Sequence, residues 1–481
     1  MKQLKHVHIL GIGGCACSAI GEYLCEKGIQ VTGSERTTRD DLGYLEQKGI
    51  KIFYQHAAEN LKDVPQLLLY SPAVKALAPD NPEFKEAEKL GIPQESWENF
   101  IGKYLLEEGR IGITVSGSEG KGTTAGILTA ILQDTKWDPL SILGAQMKMP
   151  SGNSNIFMGK GCTYILEGDE YNRNFHNYHP EINVMINFAF EHPETYRDFA
   201  DYKASFAHFF NGMTGRKKQI LHATANIIEF VRENNFKNIT WFGFPEEIAL
   251  LKNANIDTSK VWTITNHKLT PEGNYFTLEA EKEQALPLFV PALPGYLALN
   301  ATGAVLAALE LGMTHADVTE GLKRFTGMKR RFDVCGKKPV FITDYGHSPE
   351  SIRHIIGEIR TVFPQRKLHM IFQPHLFSRT FNFLEDFASA LAAADKISLI
   401  DIYPAREKKN EWEKRVSSEM LAEKTAKYNP NTEYCGSPIT IAENLKNKIS
   451  INDVVCLMGA GDMDRYYGEL INSFNKDVEL H

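Results

Sequence analysis

The 481-residue chain has neither a long apolar segment typical of membrane proteins nor a cysteine pattern typical of disulfide-bonded proteins. No apolar run reaches the roughly 20 residues that a bilayer-spanning helix requires. The N-terminal apolar stretch breaks into glycines and has no small-residue cleavage site. The seven cysteines are an odd, scattered set without metal-ligand spacing, which favours a reducing compartment. We therefore expect a cytoplasmic protein that does not insert into a membrane.

The chain also lacks a basic excess. Its formal net charge is -7, which gives no overall attraction to nucleic acid or to an anionic membrane. Hydrophobic residues make up 43% and charged residues 23% of the chain, as in ordinary globular proteins. The length predicts about three domains. Small-molecule partners are expected, and no feature of the sequence fixes an oligomeric state.

The first segment reads as a strand, a glycine turn and a helix. The apolar run 7–10 is followed by three glycines, and a second predicted strand at 30–32 leads into Ser34 and Glu35. Such a turn lets the backbone approach a phosphate, and the acid stands where dinucleotide-binding folds place their ribose ligand. Ala16 replaces the third glycine of the usual pattern, so a purely structural turn is an equal alternative. The three glycines are Gly11, Gly13 and Gly14.

A second segment carries the most specific signal in the chain. The predicted strand 111–115 runs into GSEGKGTT and then into an apolar helix, the arrangement that surrounds a triphosphate with backbone N–H groups. Lys121 would neutralise phosphate charge. Gly122 occupies the position after the lysine at which the usual loop has a serine or threonine. Thr123 is therefore the predicted Mg²⁺ ligand, and Thr124 is the alternative. The predicted nucleotide-binding loop consists of Gly117, Ser118, Glu119, Gly120, Lys121, Gly122, Thr123 and Thr124.

Acidic clusters follow two further predicted strands of this segment. The strand 163–166 ends in EGDE, and the strand 182–186 ends in Asn187, with Glu191 and His192 shortly after. Ligands bind at the carboxyl edge of an open α/β sheet. We therefore predict that Glu167 and His192 converge on a metal near the loop.

A third segment again alternates strands and helices, and polar groups follow each predicted strand. His347 and His375 each come after a strand end among other polar residues, which favours binding roles over burial in a core. The predicted strands are 340–343, 368–372, 397–402 and 454–458. The predicted domains are 1–108, 109–326 and 327–481.

Taken together, these segments resemble the Mur ligase family over nearly the whole chain. The motifs, in order, are GIGGCACSAIGEYL at 11–24, GSE at 33–35, DNPE at 80–83, GSEGKGTT at 117–124, EGDE at 167–170, NFAFEH at 187–192, KRRF at 329–332, DYGHSP at 344–349, FQPHLFSRT at 372–380, DIYPAREK at 401–408 and GAGDMD at 459–464. The resemblance implies an α/β protein of three domains. These would be an N-terminal Rossmann-like domain for a UDP-sugar, a central P-loop ATPase domain and a C-terminal Rossmann-like domain.

The resemblance also implies a reaction that consumes ATP and requires Mg²⁺. A carboxylate would be activated as an acyl phosphate and then joined to an amine. The implied roles are Lys121 at the γ-phosphate, Asn300 and Arg331 at the nucleotide, and His347, His375 and Arg379 near the amino acid. Lys121 and His347 are the predicted catalytic residues, and His347 would accept a proton from the amine or position it. The glycine turn with Ser34 and Glu35 would hold the UDP-sugar.

Within the family, the segments are most similar to the branch that joins L-alanine to UDP-N-acetylmuramate. The alternative is a branch that attaches a tripeptide or another amino acid. The chain departs from the first pattern at Gly122, at Leu297 and Ala298, and at Leu376, where an arginine is common. Two other classes of protein are alternatives to a ligase. A nicotinamide-dependent oxidoreductase would leave the P-loop without purpose, and a non-catalytic nucleotide-binding protein would release no phosphate.

Overall fold

The computed structural model describes residues 4–36, 42–106, 110–148, 154–192, 195–252, 254, 256–336, 338–405, 407–412, 414–438, 445, 448–463 and 467–478. Contacts divide the chain into two compact units. Unit 1 comprises Met1–His267, Tyr275–Pro291 and Tyr296–Thr326, and unit 2 comprises Lys268–Asn274, Ala292–Gly295 and Gly327–His481. The predicted boundary between residues 108 and 109 lies outside the described residues, and the division into the three domains 1–108, 109–326 and 327–481 stays a prediction.

The first sheet of unit 1 is parallel throughout, in the order β3-β2-β1-β4-β5. The strands are β1 His6–Leu10, β2 Gln30–Ser34, β3 Lys51–Phe53, β4 Leu67–Tyr70 and β5 Gln94–Ser96. The helices are α1 Cys15–Glu26, α2 Gly43–Gln47, α3 Pro72–Leu77, α4 Pro82–Lys89 and α5 Trp97–Phe100, with a 3₁₀ turn at Ala58–Leu61 and a π turn at Ile101–Leu105. Because parallel strands end at one edge, the glycine turn after β1 lies beside Ser34 and Glu35 after β2. This confirms the predicted strand, turn and helix.

The second sheet of unit 1 has ten strands, in the order β15-β14-β13-β12-β11-β10-β6-β9-β7-β8. The strands are β6 Ile111–Ser116, β7 Pro139–Met147, β8 Ser154–Met158, β9 Thr163–Gly168, β10 Ile182–Met185, β11 Lys218–His222, β12 Ile239–Gly243, β13 Val261–Thr270, β14 Gly273–Ala280 and β15 Leu286–Val290. The helices are α6 Lys121–Leu132, α7 Phe199–Gly212, α8 Ala225–Asn234, α9 Pro245–Leu251, α10 Leu297–Glu310 and α11 His315–Leu322, with a 3₁₀ segment at Tyr171–Asn177.

The position of β6 decides where the site forms. This strand lies between β9 and β10 and is parallel to both, so the segments that follow the three strands meet at one edge. All of β6 except its first residue is buried, as expected for a central parallel strand. Helix α6 then packs along the sheet against α10 and α11. The predicted strands of this segment are confirmed, with ends shifted by up to two residues.

One cluster of buried side chains continues from the first sheet of unit 1 into the second. It includes Ile9 and Ile101 on the first side, and Leu140 and Ile156 on the second. In addition, the Asn155 side chain donates a hydrogen bond to the Cys15 carbonyl oxygen. These contacts fix the glycine turn relative to the strands around the P-loop.

Unit 2 contains a six-stranded sheet in the order β16-β17-β21-β18-β19-β20, in which only the β16–β17 pair is antiparallel. The strands are β16 Asp333–Cys335, β17 Val340–Asp344, β18 Leu368–Phe372, β19 Lys396–Leu399, β20 Thr432–Tyr434 and β21 Val454–Met458. The helices are α12 Pro349–Val362, α13 Phe377–Asn382, α14 Leu384–Leu391, α15 Lys409–Trp412, α16 Ser418–Ala426 and α17 Tyr467–Val478.

One predicted strand of unit 2 is wrong at its carboxyl end. The apolar run suggested a strand over 397–402, but β19 ends at Leu399, where its pairing with Tyr434 of β20 is also the last. Ile402 is instead buried against Phe377 and Val416 in a separate small cluster. Among the described residues of either unit, no helix combines the length and apolar character needed to cross a membrane.

Candidate functional site

The loop after β6 needs glycine at two positions. Gly117 has φ +119° and Gly120 has φ +79°, a region that other residues rarely adopt. A Cβ atom at residue 117 would also lie 2.6 Å from the Asn187 carbonyl oxygen. Helix α6 begins immediately afterwards at Lys121, so its unpaired N–H groups and its positive dipole end face the loop. This backbone geometry suits phosphate oxygens.

Asn187 holds this loop in place. It follows directly after the predicted strand 182–186, which corresponds to β10. Its side-chain oxygen accepts hydrogen bonds from the Ser118 hydroxyl at 2.9 Å and the Glu119 amide at 2.8 Å. The Ser118 hydroxyl in turn accepts from the Ala189 amide at 3.2 Å. Ser118 and Glu119 therefore have a defined place in the loop before any ligand arrives.

Lys121 lies across the mouth of the loop. Its ammonium donates to the carbonyl oxygens of Gly117 at 2.7 Å and Ser118 at 3.1 Å. Both carboxylate oxygens of Glu170 lie within 3.0 Å of the same nitrogen. Burial alone would lower the pKa of Lys121, but the charges of Glu170 and Asp169 outweigh it and raise the pKa, so the lysine keeps its charge.

The hydroxyls that follow Lys121 are enclosed. Thr123 and Thr124 are both buried, and the Thr124 hydroxyl has no hydrogen-bond partner among the described residues. A Cβ atom at Gly122 would lie 2.8 Å from a carboxylate oxygen of Glu167, which itself accepts a hydrogen bond from the Gly144 amide. The glycine in the place of the usual hydroxyl therefore leaves room for an acid beside the first turn of α6.

His192 is grouped with two acids that the sequence prediction did not select. Its Nε2 lies 3.7 Å from Glu170 and 3.9 Å from Glu191. One ligand atom from each of these three residues lies within 4.8 Å of the others, the one such group in the described parts of the chain. Glu167 is not part of this group, so the predicted convergence of Glu167 and His192 on one metal stays a prediction. Carboxylates with nearby hydroxyls are oxygen donors that suit Mg²⁺.

Asn300 lies behind the P-loop on helix α10. A Cβ atom at Gly120 would be 3.3 Å from its side-chain nitrogen. That nitrogen is buried and has no hydrogen-bond partner in the described structure. A buried, unpaired amide is costly, and it is the kind of group that a bound ligand satisfies.

The glycine turn after β1 is held by the acid after β2. The Gly13 amide donates to the Glu35 carboxylate at 3.1 Å, and the Gly14 amide donates to the Gly11 carbonyl oxygen at 3.1 Å. Ser34 is fully buried, and its hydroxyl donates to Glu83 at 2.8 Å. In this conformation Ser34 supports the loops behind the turn, and its predicted role in binding a UDP-sugar stays a prediction.

The turn and the P-loop lysine face the same cavity in unit 1. Its volume is about 270 Å³, and it is lined by Gly14 and Cys15 on one side and by Lys121, Glu167 and Asp169 on the other. A ligand held at the turn would thus extend toward the charged mouth of the P-loop.

A second group of predicted residues comes together in unit 2. The His347 and His375 rings are 5.7 Å apart, and the Arg379 guanidinium donates to Nδ1 of His375 at 3.2 Å. The His375 ring also stacks on Tyr403, with centroids 5.8 Å apart. His347 Nδ1 lies 3.1 Å from the Tyr345 carbonyl oxygen. Since a carbonyl only accepts, Nδ1 carries the proton and Nε2 keeps its lone pair.

The electrostatics of this group favour a neutral His347. Burial, followed by the nearby charge of Arg379, lowers the pKa of His347 to about 4. Arg331 stacks on Tyr345, with its guanidinium carbon 5.1 Å from the ring centroid. Its predicted contact with the nucleotide stays a prediction. Arg406 and Asp464 of the family motifs lie outside the described residues.

Comparison with known proteins decides the family. Three family models match in sequence: "Mur ligase family, catalytic domain" at residues 6–108, "Mur ligase middle domain" at 115–308 and "Mur ligase, glutamate ligase domain" at 330–461. UDP-N-acetylmuramate–L-alanine ligase of Alkaliphilus metalliredigens is 32% identical over 96% of each chain. The enzyme of the same name from Aquifex aeolicus is 30% identical over 98% of this chain and 99% of its own.

The chain belongs to the Mur ligase family. Its three-domain α/β architecture is also that of solved structures. UDP-N-acetylmuramate-alanine ligase of Thermotoga maritima superposes with a TM-score of 0.81 at 24% identity, covering 98% of this chain and 99% of the other. A murein peptide ligase of Psychrobacter arcticus has a TM-score of 0.69 at 20% identity, covering 98% of both chains. The predicted family and fold are confirmed.

In this Mur ligase, the sequence prediction did not select Glu191, which lies near His192, nor two residues that contact the P-loop, Glu170 and Asn187. Glu170 was visible only as the last letter of EGDE, and Asn187 only as a strand end. Both follow strands adjacent to β6, at the same edge of the sheet as Lys121. The rule that ligands bind at the carboxyl edge of a parallel sheet could have identified both residues from the sequence. The contact of Glu170 with Lys121 and that of Asn187 with the loop depend on tertiary geometry.

Proposed function

We propose that this Mur ligase joins L-alanine to UDP-N-acetylmuramate and converts ATP to ADP and phosphate. The observation that carries the proposal is the cavity shared by the glycine turn and Lys121. Relatives that carry the name UDP-N-acetylmuramate–L-alanine ligase, about 30% identical over nearly their full length, support this choice of substrates. Residues 1–108 would bind the UDP-sugar, 109–326 ATP, and 327–481 the amino acid with part of the nucleotide.

The first step is the transfer of a phosphoryl group. A carboxylate oxygen of the sugar substrate attacks the γ-phosphorus, the bond to the β-phosphate breaks, and ADP leaves with its electron pair. Lys121 moves from the loop carbonyls toward the γ-phosphate and offsets the charge that spreads over its oxygens. The amides at the start of α6 hold the phosphates in line.

Magnesium is expected to bind beside these groups. Thr123, or Thr124 as the alternative, would hold one Mg²⁺ ion, and Glu167 and His192 would hold a second. The ions would shield negative charge on the phosphates and orient them for displacement. The buried Thr124 hydroxyl without a partner and the carboxylate beside Gly122 are the observations that fit such an ion.

The second step forms the amide bond. The amine nitrogen attacks the carbonyl carbon of the acyl phosphate, and the carbon–oxygen bond to phosphate breaks. Inorganic phosphate leaves with the bonding electron pair and takes up the proton that the nitrogen loses. His347, with Nε2 unprotonated, would accept a hydrogen bond from the amine and orient it. A pKa of about 4 favours this positioning role over proton storage at neutral pH. Arg379 and His375 would bind the carboxylate of the amino acid.

The compartment of the reaction is proposed to be the cytoplasm. None of the seven cysteines, all of which lie in described segments, forms a disulfide. That is the pattern of a protein kept in a reducing environment.

The decisive experiment is an acceptor panel. The purified chain, ATP, Mg²⁺ and UDP-N-acetylmuramate are incubated with L-alanine, glycine, L-serine or a tripeptide, and ADP and the amide product are measured. We expect L-alanine to give the highest kcat/KM. A preference for the tripeptide would replace this proposal with a murein peptide ligase, the function named for the Psychrobacter arcticus relative. Phosphate release with no amide from any acceptor would contradict both.

A further inference from the structure

Glu170 is the buried partner of the P-loop lysine. Its side chain has no exposed surface, and its carboxylate oxygens lie 3.0 and 2.9 Å from the Lys121 nitrogen. The same ammonium also donates to Gly117 and Ser118. An ammonium has three hydrogens, so the whole donor capacity of Lys121 is used before a nucleotide binds. Glu170 comes from a different strand end and is 49 residues away in sequence.

A frame of polar contacts holds the Glu170 backbone. The Tyr196 hydroxyl and the Arg173 amide both donate to the Glu170 carbonyl oxygen, at 2.5 and 2.9 Å. The Arg173 guanidinium binds both carboxylate oxygens of Asp201, at 2.9 and 3.0 Å, and lies 4.9 Å from the Tyr196 ring centroid. The carboxylate that meets Lys121 therefore projects from a fixed backbone.

The backbone next to Glu170 is strained. Asn172 and Arg173 have φ values of +53° and +59°, and His192, which lies against Glu170, has φ +56°. Non-glycine residues in this region persist only where the surrounding structure enforces them, and such residues concentrate at functional sites. The strain indicates that the orientation of Glu170 is enforced by its surroundings.

We propose that Glu170 is a positioning residue, which holds the Lys121 ammonium at the mouth of the P-loop and releases it to the γ-phosphate when ATP binds. This inference rests on the proposed function and adds a role to it. The Glu170 charge opposes phosphate binding, because two anions share one cation. In return, the ammonium is already oriented when charge develops in the transition state. Removal of the Glu170 charge should therefore tighten nucleotide binding and slow the chemical step.

The test separates those two effects. Glu170→Gln keeps the size of the side chain and removes its charge. We expect the Kd for a non-hydrolysable ATP analogue with Mg²⁺ to fall by about threefold or more. We expect kcat for amide formation to fall by about tenfold or more. Glu170→Asp keeps the charge on a shorter side chain. Its Kd should stay near the wild-type value, and its kcat should lie between those of wild type and Glu170→Gln. A merely structural role would not lower Kd and kcat together.

The control is an exposed pair of similar geometry. Lys203 lies 3.0 Å from Glu233 on the surface of unit 1, and Glu233→Gln should change neither constant. A Glu170→Gln variant with wild-type kcat, or with weaker nucleotide binding, would overturn the proposal. Wild-type protein that forms no amide product would instead refute the proposed function. In that case the Kd values of the two Glu170 variants still decide whether Glu170 competes for Lys121.

Discussion

The P-loop region of unit 1 buries Lys121, and the histidine group of unit 2 buries His347. The pKa values of the two side chains shift in opposite directions. In unit 1 the charge of Glu170 outweighs the burial of Lys121, and the pKa of the lysine rises. In unit 2 burial and the positive charge of Arg379 act in the same direction, and the pKa of His347 falls to about 4. One site thus keeps a cation, which suits phosphate. The other keeps a neutral nitrogen lone pair, which suits an amine.

The largest expected effect comes from breaking the charged site. In Lys121→Ala the phosphoryl oxygens lose their cation, so we expect kcat for ADP formation to fall by about 10³-fold with every acceptor. Lys203→Ala removes a lysine of a comparable surface pair and should leave kcat unchanged. A Lys121→Ala enzyme of near wild-type rate would refute the assignment of the loop.

A third buried ionisable group is the carboxylic acid of Glu98. Glu98 is buried, and one of its carboxylate oxygens has no hydrogen-bond partner among the described residues. Burial raises its pKa to about 7. An acid whose pKa is higher in the folded state stabilises the fold most below its unfolded value, and this contribution is lost as the pH rises from about 4.5 to about 7.

Glu98→Gln should therefore raise the free energy of unfolding by about 2 kcal/mol at pH 8, because the variant buries no charge. At pH 4, where the wild-type acid is already neutral, the two proteins should be equally stable. Urea titrations at the two pH values measure the difference. A gain of the same size at pH 4 would show that the charge of Glu98 is not its cause.

A smaller effect is expected from crowding the acid beside the P-loop. In Gly122→Ala the new methyl group would lie 2.8 Å from the Glu167 carboxylate, which must then move from the Gly144 amide. We expect about tenfold lower kcat with a melting temperature close to wild type. Gly357→Ala is the control, because a Cβ atom at this position of helix α12 would have nothing within 4 Å and should leave kcat unchanged. A Gly122→Ala enzyme with unchanged kcat would show that the place of Glu167 is not critical.

The smallest effect concerns the neutral site. Arg379→Gln removes a positive charge near His347, so the pKa of His347 should rise, by about one unit or less. It should stay below 6.5, because burial is the larger cause of the depression. NMR titration of the imidazole measures this value. A histidine with a lowered pKa stabilises the fold fully above 6.5, and this contribution is lost as the pH falls toward about 4. A pKa that does not move would exclude the arginine as a cause.

The predictability of the two regions from sequence differs for a physical reason. Gly117, Gly120 and Lys121 are contiguous, and local backbone chemistry fixes their arrangement, so a motif suffices to place them. The pairing of Lys121 with Glu170 depends on the order of β6 and β9 in the sheet, which no local pattern specifies. The sequence likewise could not show that His192 lies beside Glu170, because this contact also depends on the order of the strands. The predicted pairing of His192 with Glu167 on a metal stays a prediction.

Strand ends show the same limit. The apolar run 397–402 reads as one strand, but its pairing with β20 ends at Leu399, and Ile402 belongs to another apolar cluster. Hydrophobicity predicts burial correctly in both cases, and only the partner strand determines which buried residues are part of the sheet. The strands β11–β15 were not predicted from the sequence, although β15, at the end of the sheet, alternates buried and more exposed residues.

The fate of the carboxylate oxygens of the sugar substrate shows directly whether an acyl phosphate forms. UDP-N-acetylmuramate labelled with ¹⁸O in its carboxylate is ligated to L-alanine with unlabelled ATP, and the inorganic phosphate is analysed by mass. If the carboxylate attacks the γ-phosphate beside Lys121, each phosphate released must carry one ¹⁸O atom and the amide must keep the other. Unlabelled phosphate, formed alongside the amide product, would contradict an acyl phosphate and the shared cavity as its place of formation.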